Sequence, residues 1–245
     1  MRRLRPSPAG QADPLEVYGD PPTAEGRPGV RLNMIASADG AVTLEGRSGG
    51  LGGPGDRALF RVLRSLADVV LAGGRTVAIE GYGPPSLPDE LVAARRARGQ
   101  DPLPRLAVVT RTCSVDLDAA LFARPTSRPI VITAADAPAE RRAAAAEVAD
   151  VIAVGTGGVD LVRALALLGA AGARTALCEG GPSLFGLLAA MSLVDELCLT
   201  VAPLLAAGQA GRIVSGPPLG PLGLEVASLC DDEDGYLYLR YRAAG

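Results

Sequence analysis

The chain has 245 residues, of which 48% are hydrophobic and 3% aromatic, and its formal net charge at pH 7 is −3. It contains neither histidine nor lysine, which excludes Ser-His-Asp catalysis, histidine-bound zinc and a Walker lysine. Few aromatic side chains and no long basic block argue against nucleic-acid binding, and no apolar run is long enough to cross a bilayer. We therefore expect a cytoplasmic protein without a metal site.

Residues 1–28 are rich in proline and glycine and lack periodicity, so we expect a loose N-terminal arm followed by a single domain over 29–245. Apolar strand-like runs then alternate with helix-like runs. The predicted strands span 30–37 (with a short continuation at 41–44), 68–72, 106–110, 129–133, 151–154, 175–178, 194–202, 224–229 and 237–241. The first predicted helix begins at Asp56, which would be its N-cap. The other predicted helices span 89–99, 139–149, 160–170 and 184–190.

This alternation predicts an α/β fold with a mainly parallel central sheet and helices on both faces. The last strands follow one another without a long helix between them, so the C-terminal edge of the sheet should be antiparallel. The four cysteines are widely spaced in or near apolar runs, which favours buried, reduced thiols.

Ligands of open α/β sheets bind beyond the carboxyl ends of the strands. Five such ends carry glycine or polar residues, and together they predict a shared groove, although each alone is explained by a turn. They are Ser37–Gly40, Gly73–Thr76, Thr110–Thr112, 155–158 and 179–181. None has the G-x-G-x-x-G spacing of the common dinucleotide motif.

The segment from Glu179 to Leu184 is the most informative of these. A carboxylate ends an apolar strand, Gly180 and Gly181 allow close approach of a ligand, and Pro182 suits the first turn of a helix. Free N–H groups at a helix N-terminus attract phosphate. The segment predicts a phosphorylated cofactor held beside an acidic side chain.

Three carboxylates at strand or turn ends are candidates for chemistry: Asp39, Glu80 and Glu179. Asp39 is equally explained as part of an Asp-Gly turn and Glu80 as a solvated loop residue, whereas a charge at position 179 needs a reason. Arg57 suits a substrate phosphate or an ordinary surface position. The set Thr110-Arg111-Thr112 suits the 2′-phosphate of NADP or a hydrophilic turn.

Six segments occur in the order found in a known family. They are Arg27-Pro28, 32–40 (LNMIASADG), 53–57 (GPGDR), 71–77 (LAGGRTV), 179–184 (EGGPSL) and 194–197 (VDEL). From about Arg27 to its C-terminus the chain resembles the reductase domain of the riboflavin-biosynthesis deaminase/reductase. The resemblance implies a dihydrofolate-reductase-like fold, NADPH, a homodimer, and reduction of the ribosyl group of a 5′-phosphorylated aminopyrimidine to ribityl. The zinc deaminase pattern of that family is absent, so the chain resembles a stand-alone reductase.

By position, the resemblance assigns substrate contacts to Asn33, Ser48, Arg57, Glu80 and Glu179. It assigns NADPH contacts to Ile35, Gly50, Thr76, Thr112 and the 181–187 loop, including Gly181, Pro182, Ser183 and Leu184. The strand ends add Ser37, Gly73, Thr110, Arg111, Gly155 and Gly180 to the cofactor set. Asn33 replaces the lysine of bacterial bifunctional enzymes and is typical of archaeal and fungal reductases. Glu80-Gly81-Tyr82 replaces an Asp-Asn-Pro motif, and a basic residue usual a few positions later is missing.

We therefore expect an NADPH-dependent reductase in which the ribose ring opens and an imine carbon accepts a hydride. Glu80 and Glu179 are the preferred proton donors, and Asp39 is the third. Two alternatives stay open. One is reduction of another pyrimidine or pterin, including dihydrofolate, and the other is a non-catalytic NADP-binding regulator.

Overall fold

The structure is a computed structural model that describes residues 1–6, 9–216, 218 and 220–244. Its strands are β1 (Arg2–Arg5), β2 (Gly10–Gln11), β3 (Thr23–Ala24), β4 (Arg27–Ser37), β5 (Val69–Gly73), β6 (Arg105–Thr110), β7 (Ile130–Thr133), β8 (Asp150–Ala153), β9 (Thr175–Cys178), β10 (Glu196–Ala202), β11 (Leu224–Asp231) and β12 (Leu237–Ala243). Its helices are α1 (Pro14–Tyr18), α2 (Pro54–Leu66), α3 (Gly74–Glu80), α4 (Asp89–Ala97), α5 (Ala120–Ala123), α6 (Ala139–Val148), α7 (Leu161–Ala170) and α8 (Pro182–Ala190).

The central sheet has the strand order β2-β1-β11-β12-β10-β4-β9-β5-β6-β7-β8, and β3 pairs with β4 off this path. All neighbours from β10 to β8 are parallel. The pairs that join β10, β12, β11, β1 and β2 are antiparallel. The predicted α/β fold with an antiparallel C-terminal edge is therefore confirmed.

The two faces of the sheet are covered by two apolar clusters. Successive strand residues point to opposite faces, so Val70 packs with Leu59 and Leu63 of α2, whereas Leu71 packs with Leu165 and the rest of the second cluster. Strands buried on both faces read as continuous apolar runs, as β5 and β9 do. The parallel strands are thereby held rigidly, and their carboxyl ends meet at one edge.

The N-terminal segment corrects the expectation of a loose arm over 1–28. β1 pairs with β11 and extends the sheet, and Tyr18 at the end of α1 is fully buried. The backbone of this segment also accepts hydrogen bonds from two buried arginines, because Arg31 donates to the carbonyl oxygen of Tyr18 (3.0 Å) and Arg240 to that of Val17 (2.7 Å). These two arginines are distant from the segment in the chain, so the composition of residues 1–28 does not reveal the hydrogen bonds.

Two local expectations were also wrong. Residues 41–44 do not form a strand, since Leu44 makes only an isolated bridge to Arg47. Helix α2 begins at Pro54 with Gly53 as its N-cap, not at Asp56, because proline lacks an N–H and its fixed φ suits the first helical turn. The four cysteines are buried and free, as expected. No helix in the described ranges is long and apolar enough to cross a membrane.

Candidate active site

A cavity of about 410 Å³ lies where β4 and β9 end, between α2 and α3. Seven of the predicted site residues line it: Asn33, Ile35, Ser48, Arg57, Thr76, Glu80 and Glu179. It is also lined by Met34, Gly49, Gly52, Asp56, Phe60, Arg64 and residues 81–84. The expected groove at the carboxyl edge of the sheet therefore contains both preferred acids.

Glu179 directly follows β9, and its amide donates to the carbonyl oxygen of Leu71 (2.9 Å). Its side chain is only 1% exposed and accepts three hydrogen bonds. Arg64 Nε donates to Oε1 (2.6 Å), Arg64 Nη2 to Oε2 (2.7 Å) and the Tyr82 hydroxyl to Oε2 (2.8 Å). All three hydrogen bonds come from protein donors, so the Glu179 side chain is arranged as an acceptor.

Arg64 is the partner that sequence analysis missed. Its guanidinium carbon lies 4.3 Å from the centre of the Phe60 ring and 5.5 Å from that of Tyr82. Burial alone would lower the pKa of Arg64, but its hydrogen bonds to Glu179 and that residue's charge outweigh burial, and the pKa lies above its ordinary value. A detectable pattern existed: positions 57, 60 and 64 share one face of α2, and a buried glutamate in a lysine-free chain requires an arginine.

Tyr82 donates to Glu179 and remains protonated. Burial raises its pKa well above the ordinary value, and the negative charge of Glu179 raises it further. The phenol is thus a fixed hydrogen-bond donor at the wall of the cavity.

Glu80 is the last residue of α3 and is half-buried. Its Oε1 accepts from both the amide (3.1 Å) and the hydroxyl (3.0 Å) of Ser48. The glycine-dense loop before α2 is tied to α3 by this pair, which explains why Ser48 and Glu80, far apart in the chain, line one cavity.

Asp56 is a third carboxyl on the cavity wall, in the first turn of α2. Burial is the main cause of its raised pKa, and the nearby charge of Asp232 acts in the same direction. A hydrogen bond with Thr200 and the charge of Arg57 act in the opposite direction and are weaker in sum.

Asp39 lies outside the cavity, which corrects its place among the catalytic candidates. Its exposed carboxylate accepts from the hydroxyl of Ser37 and from the amides of Ala206 (3.1 Å) and Ala207 (2.7 Å). These hydrogen bonds lower its pKa to about 2, so it is ionised at neutral pH and cannot donate a proton. Ser37 is committed to the same turn, since its Oγ also accepts from the amide of Ala41 (2.9 Å).

A backbone cradle adjoins the cavity where β5 and β9 end. The amide of Gly73 donates to the carbonyl oxygen of Gly180 (2.7 Å), and the peptide bond between Gly180 and Gly181 is cis. A Cβ on Gly181 would lie 2.6 Å from Thr76 Oγ1. Gly181 caps α8 without a side-chain hydrogen bond, and Pro182 follows at the first helical position. Bare backbone and an uncapped helix start fit the pyrophosphate of a dinucleotide.

The other predicted cofactor residues are spread along the same edge. A Cβ on Gly74 would lie 3.4 Å from Thr110 Cβ, so the ends of β5 and β6 touch. Gly155 has φ +84°, and a Cβ there would lie 2.4 Å from the carbonyl oxygen of Gly158. Arg111 is exposed, Thr112 is half-buried, Ser183 Oγ lies 3.4 Å from Ser215 Oγ, and Leu184 is buried in the core. Gly50 lies beside Leu44, outside the cavity.

A larger cavity of about 590 Å³ is lined by Met1, Arg2, Gln11, Gly55 and residues 231–234. It contains none of the predicted site residues. One of its acids, Asp232, already accepts from the hydroxyl of Tyr238 and the amide of Tyr236 (3.0 Å). In the described part of the chain, no group of acids or cysteines is arranged to hold a metal ion.

The smaller cavity lies at the carboxyl edge of a mainly parallel α/β sheet, which is where open α/β sheets usually bind their ligands. The family described as RibD C-terminal domain matches residues 28–238, and the chain belongs to this family. The predicted reductase family is therefore confirmed.

Similar proteins support the same assignment. A Methanothermobacter thermautotrophicus protein named 2,5-diamino-6-ribosylamino-4(3H)-pyrimidinone 5′-phosphate reductase is 30% identical over 193 residues, 76% of this chain and 82% of that protein. The crystal structure of a pyrimidine reductase-like protein from Corynebacterium diphtheriae matches with a TM-score of 0.82 and 28% identity, covering 95% of this chain and 98% of the other. Rib7, the riboflavin biosynthesis reductase of Saccharomyces cerevisiae, shares the fold at a TM-score of 0.68 and 19% identity, covering 94% and 97%.

Proposed function

We propose that this protein is an NADPH-dependent reductase that converts the ribosyl group of a 5′-phosphorylated ribosylaminopyrimidine to ribityl, a step of riboflavin biosynthesis. One observation carries the proposal: Thr76 both lines the acid-walled cavity and contacts the glycine cradle at Gly181. A substrate in the cavity and a dinucleotide in the cradle would therefore be neighbours, as hydride transfer requires.

NADPH fits the strand ends that the structure brings to one edge. Gly73, Gly180 and Gly181 would hold the pyrophosphate together with the first turn of α8, which begins with Pro182, Ser183 and Leu184. Thr76 and Ile35 would face the nicotinamide side, while Gly155 and the set Thr110-Arg111-Thr112 would hold the adenosine side with its 2′-phosphate. When bound, the cofactor supplies the hydride.

The cavity offers polar groups suited to a phosphorylated pyrimidine. Arg57 is exposed on the cavity wall, and its Nη1 is held by the carbonyl oxygen of Gly52 (2.8 Å), which orients the guanidinium for a phosphate. Asn33, Ser48, Glu80 and Glu179 would contact the ring and the sugar. Glu179, which already accepts two hydrogen bonds from Arg64, would accept further hydrogen bonds from amino or hydroxyl groups of the substrate.

The reaction requires one proton and one hydride. The C1′–O4′ bond breaks, O4′ takes a proton from an acid, and the lone pair of the attached nitrogen forms the C1′=N bond. Addition of the hydride to C1′ then gives a neutral secondary amine and a ribityl chain. The protein must place the substrate, exclude water and deliver the proton.

Two observations indicate which pyrimidine ring the substrate carries. The Methanothermobacter relative is named for a 2,5-diaminopyrimidinone phosphate, and Asn33 lines the cavity at the position where lysine is usual in bacterial bifunctional enzymes. We therefore expect faster NADPH oxidation with the diaminopyrimidinone phosphate than with its deaminated counterpart or dihydrofolate. Tight NADPH binding without oxidation on any of them would instead indicate a regulator.

The assignment of the two acids is tested with Glu179→Gln and Glu80→Gln. Both should lower turnover while NADPH binding, followed by cofactor fluorescence, stays near the wild-type value. Exposed Glu90→Gln on α4 is the matched carboxylate-to-amide control. Unchanged turnover in both site variants would remove these residues from the proposed active site.

We also propose that the protein is a cytoplasmic homodimer. Free thiols at all four cysteines suit a reducing compartment, and Val162 (53% exposed) and Leu167 (44%) on α7 are apolar surface that a second copy would cover. Light scattering during size-exclusion chromatography measures the mass directly. A monomer at micromolar concentration would contradict the dimer without affecting the proposed reaction.

A further inference from the structure

The proton for ring opening lacks a suitable donor among the acids expected from the sequence. Glu179 already accepts three hydrogen bonds, two from Arg64 and one from Tyr82, and Glu80 accepts two from Ser48, so both carboxyl groups are engaged with protein donors. Asp39 lies outside the cavity. Among the described residues that line the cavity, Asp56 is the carboxyl group that remains.

Asp56 lies in surroundings of the opposite kind. Its carboxyl packs beneath the loop, since a Cβ on Gly52 would lie 2.7 Å from Oδ2. Its hydrogen-bond partner is the hydroxyl of Thr200, which is 2% exposed and pairs in register with Ile35 on the cavity floor. This hydrogen bond favours the carboxylate, but burial outweighs it, and the pKa of Asp56 lies above its ordinary value.

The charged and titratable groups around Asp56 come from α2 and from the β11–β12 hairpin. Arg57 follows it on α2, whereas Asp232, Tyr236 and Tyr238 belong to the β11–β12 hairpin. A Cβ on Gly55 would lie 2.4 Å from Asp232 Oδ2, so that second carboxylate is packed against the start of α2. The negative charge of Asp232 is one of the causes that raise the pKa of Asp56, after burial.

We propose that Asp56 is the general acid of the active site, the group that protonates the ribose ring oxygen as the ring opens; this inference rests on the proposed reductase function. The proton leaves Asp56 for O4′ as the C1′–O4′ bond breaks, and the resulting carboxylate is reprotonated from solvent after hydride addition. Arg57, next in the chain, holds the phosphate end of the same substrate. Neighbouring residues of one helical turn thus serve the two ends of the ribose phosphate.

The pH dependence follows from this role. The acid form is present below the pKa of Asp56 and is lost as the pH rises through it, so kcat/KM falls on the alkaline side of that value. Thr200→Val removes the hydroxyl that favours the carboxylate and should move this decline to higher pH. Valine has nearly the same shape, and a purely structural effect would change the rate without moving the profile.

The experiment first measures wild-type turnover of the ribosylaminopyrimidine phosphate. Absence of turnover would refute the proposed reductase function itself, and with it the role of Asp56. Given turnover, Asp56→Asn should lower kcat by about 10²- to 10⁴-fold and abolish the alkaline decline. NADPH binding, measured by fluorescence, should stay within about threefold of the wild-type value, and Glu90→Gln serves as the control. Wild-type kcat in Asp56→Asn, or an unmoved pH profile in Thr200→Val, overturns the proposal.

Discussion

Arg64 holds the carboxylate of Glu179 through two parallel hydrogen bonds, Nε to Oε1 at 2.6 Å and Nη2 to Oε2 at 2.7 Å. The arginine comes from the last turn of α2 and the glutamate directly follows β9, so this pair fixes the helix against the carboxyl edge of the sheet. Because the glutamate side chain is 1% exposed and the arginine side chain 19% exposed, Arg64 is the partner that presents charge to the cavity. Glu179 therefore anchors α2 and acts as a hydrogen-bond acceptor.

Replacing Arg64 by methionine should destabilise the protein by about 3–5 kcal/mol, because Glu179 would be left as a buried, unpaired charge. Urea denaturation followed by circular dichroism measures this. Arg61→Met, an exposed site on the same helix, should change stability by less than about 0.5 kcal/mol. The double variant Arg64→Met/Glu179→Met should recover most of the loss, and a double variant no more stable than Arg64→Met would contradict the buried-charge explanation.

Gly181→Ala tests the backbone cradle. The added Cβ would lie 2.6 Å from Thr76 Oγ1, while φ of −81° suits alanine, so the effect comes from the occupied space. Overpacking of this degree costs about 1–3 kcal/mol, and we expect the NADPH Kd to rise about tenfold or more. Gly10→Ala on β2 is the control, because a Cβ there has no neighbour within 4 Å. Equal Kd values for the two variants would show that the cradle does not hold the cofactor.

The sequence was sufficient for features that are local or periodic. Apolar runs located the parallel strands, the missing helix between the late strands predicted the antiparallel edge, and glycines after strands marked the site. Sequence analysis missed Arg64, Tyr82 and Asp56. Their roles depend on which residues of α2 and of the loop after α3 face β9, and spacing along the chain does not reveal this. The N-terminal segment was misjudged for the same reason, since its partners Arg31 and Arg240 lie elsewhere in the chain.

The two buried arginines, Arg31 and Arg240, give a further prediction. Glu196 is fully buried and accepts from Arg31 Nε and from Arg240 Nε (2.8 Å). Glu196→Gln would leave two buried guanidinium groups without a counter-charge, and we expect a loss of about 3–5 kcal/mol in unfolding free energy. Hydrogen exchange should also rise in α1, whose carbonyl oxygens the same arginines hold. Exposed Glu225→Gln on β11 is the control, and equal stability of the two variants would contradict a charge-dependent network.

Replacing Asp39 should change the thermal stability of the protein by an amount that depends on pH. Its pKa is lowered from 3.8 to about 2 by hydrogen bonds from Ser37, Ala206 and Ala207, so the native state favours the carboxylate. A depressed pKa contributes stability that is fully present above the ordinary value and is lost as the pH falls through the folded value. Asp39→Asn should therefore lower the Tm at pH 6, and the difference from wild type should shrink below about pH 4 and vanish near pH 2. Exposed Asp118→Asn should show no such trend.

Because Asp39 lies outside the cavity, kcat of the Asp39→Asn variant should stay within about threefold of wild type, well short of the 10²-fold minimum for loss of a general acid. A pH-independent Tm difference would show that shape, not charge, holds the turn.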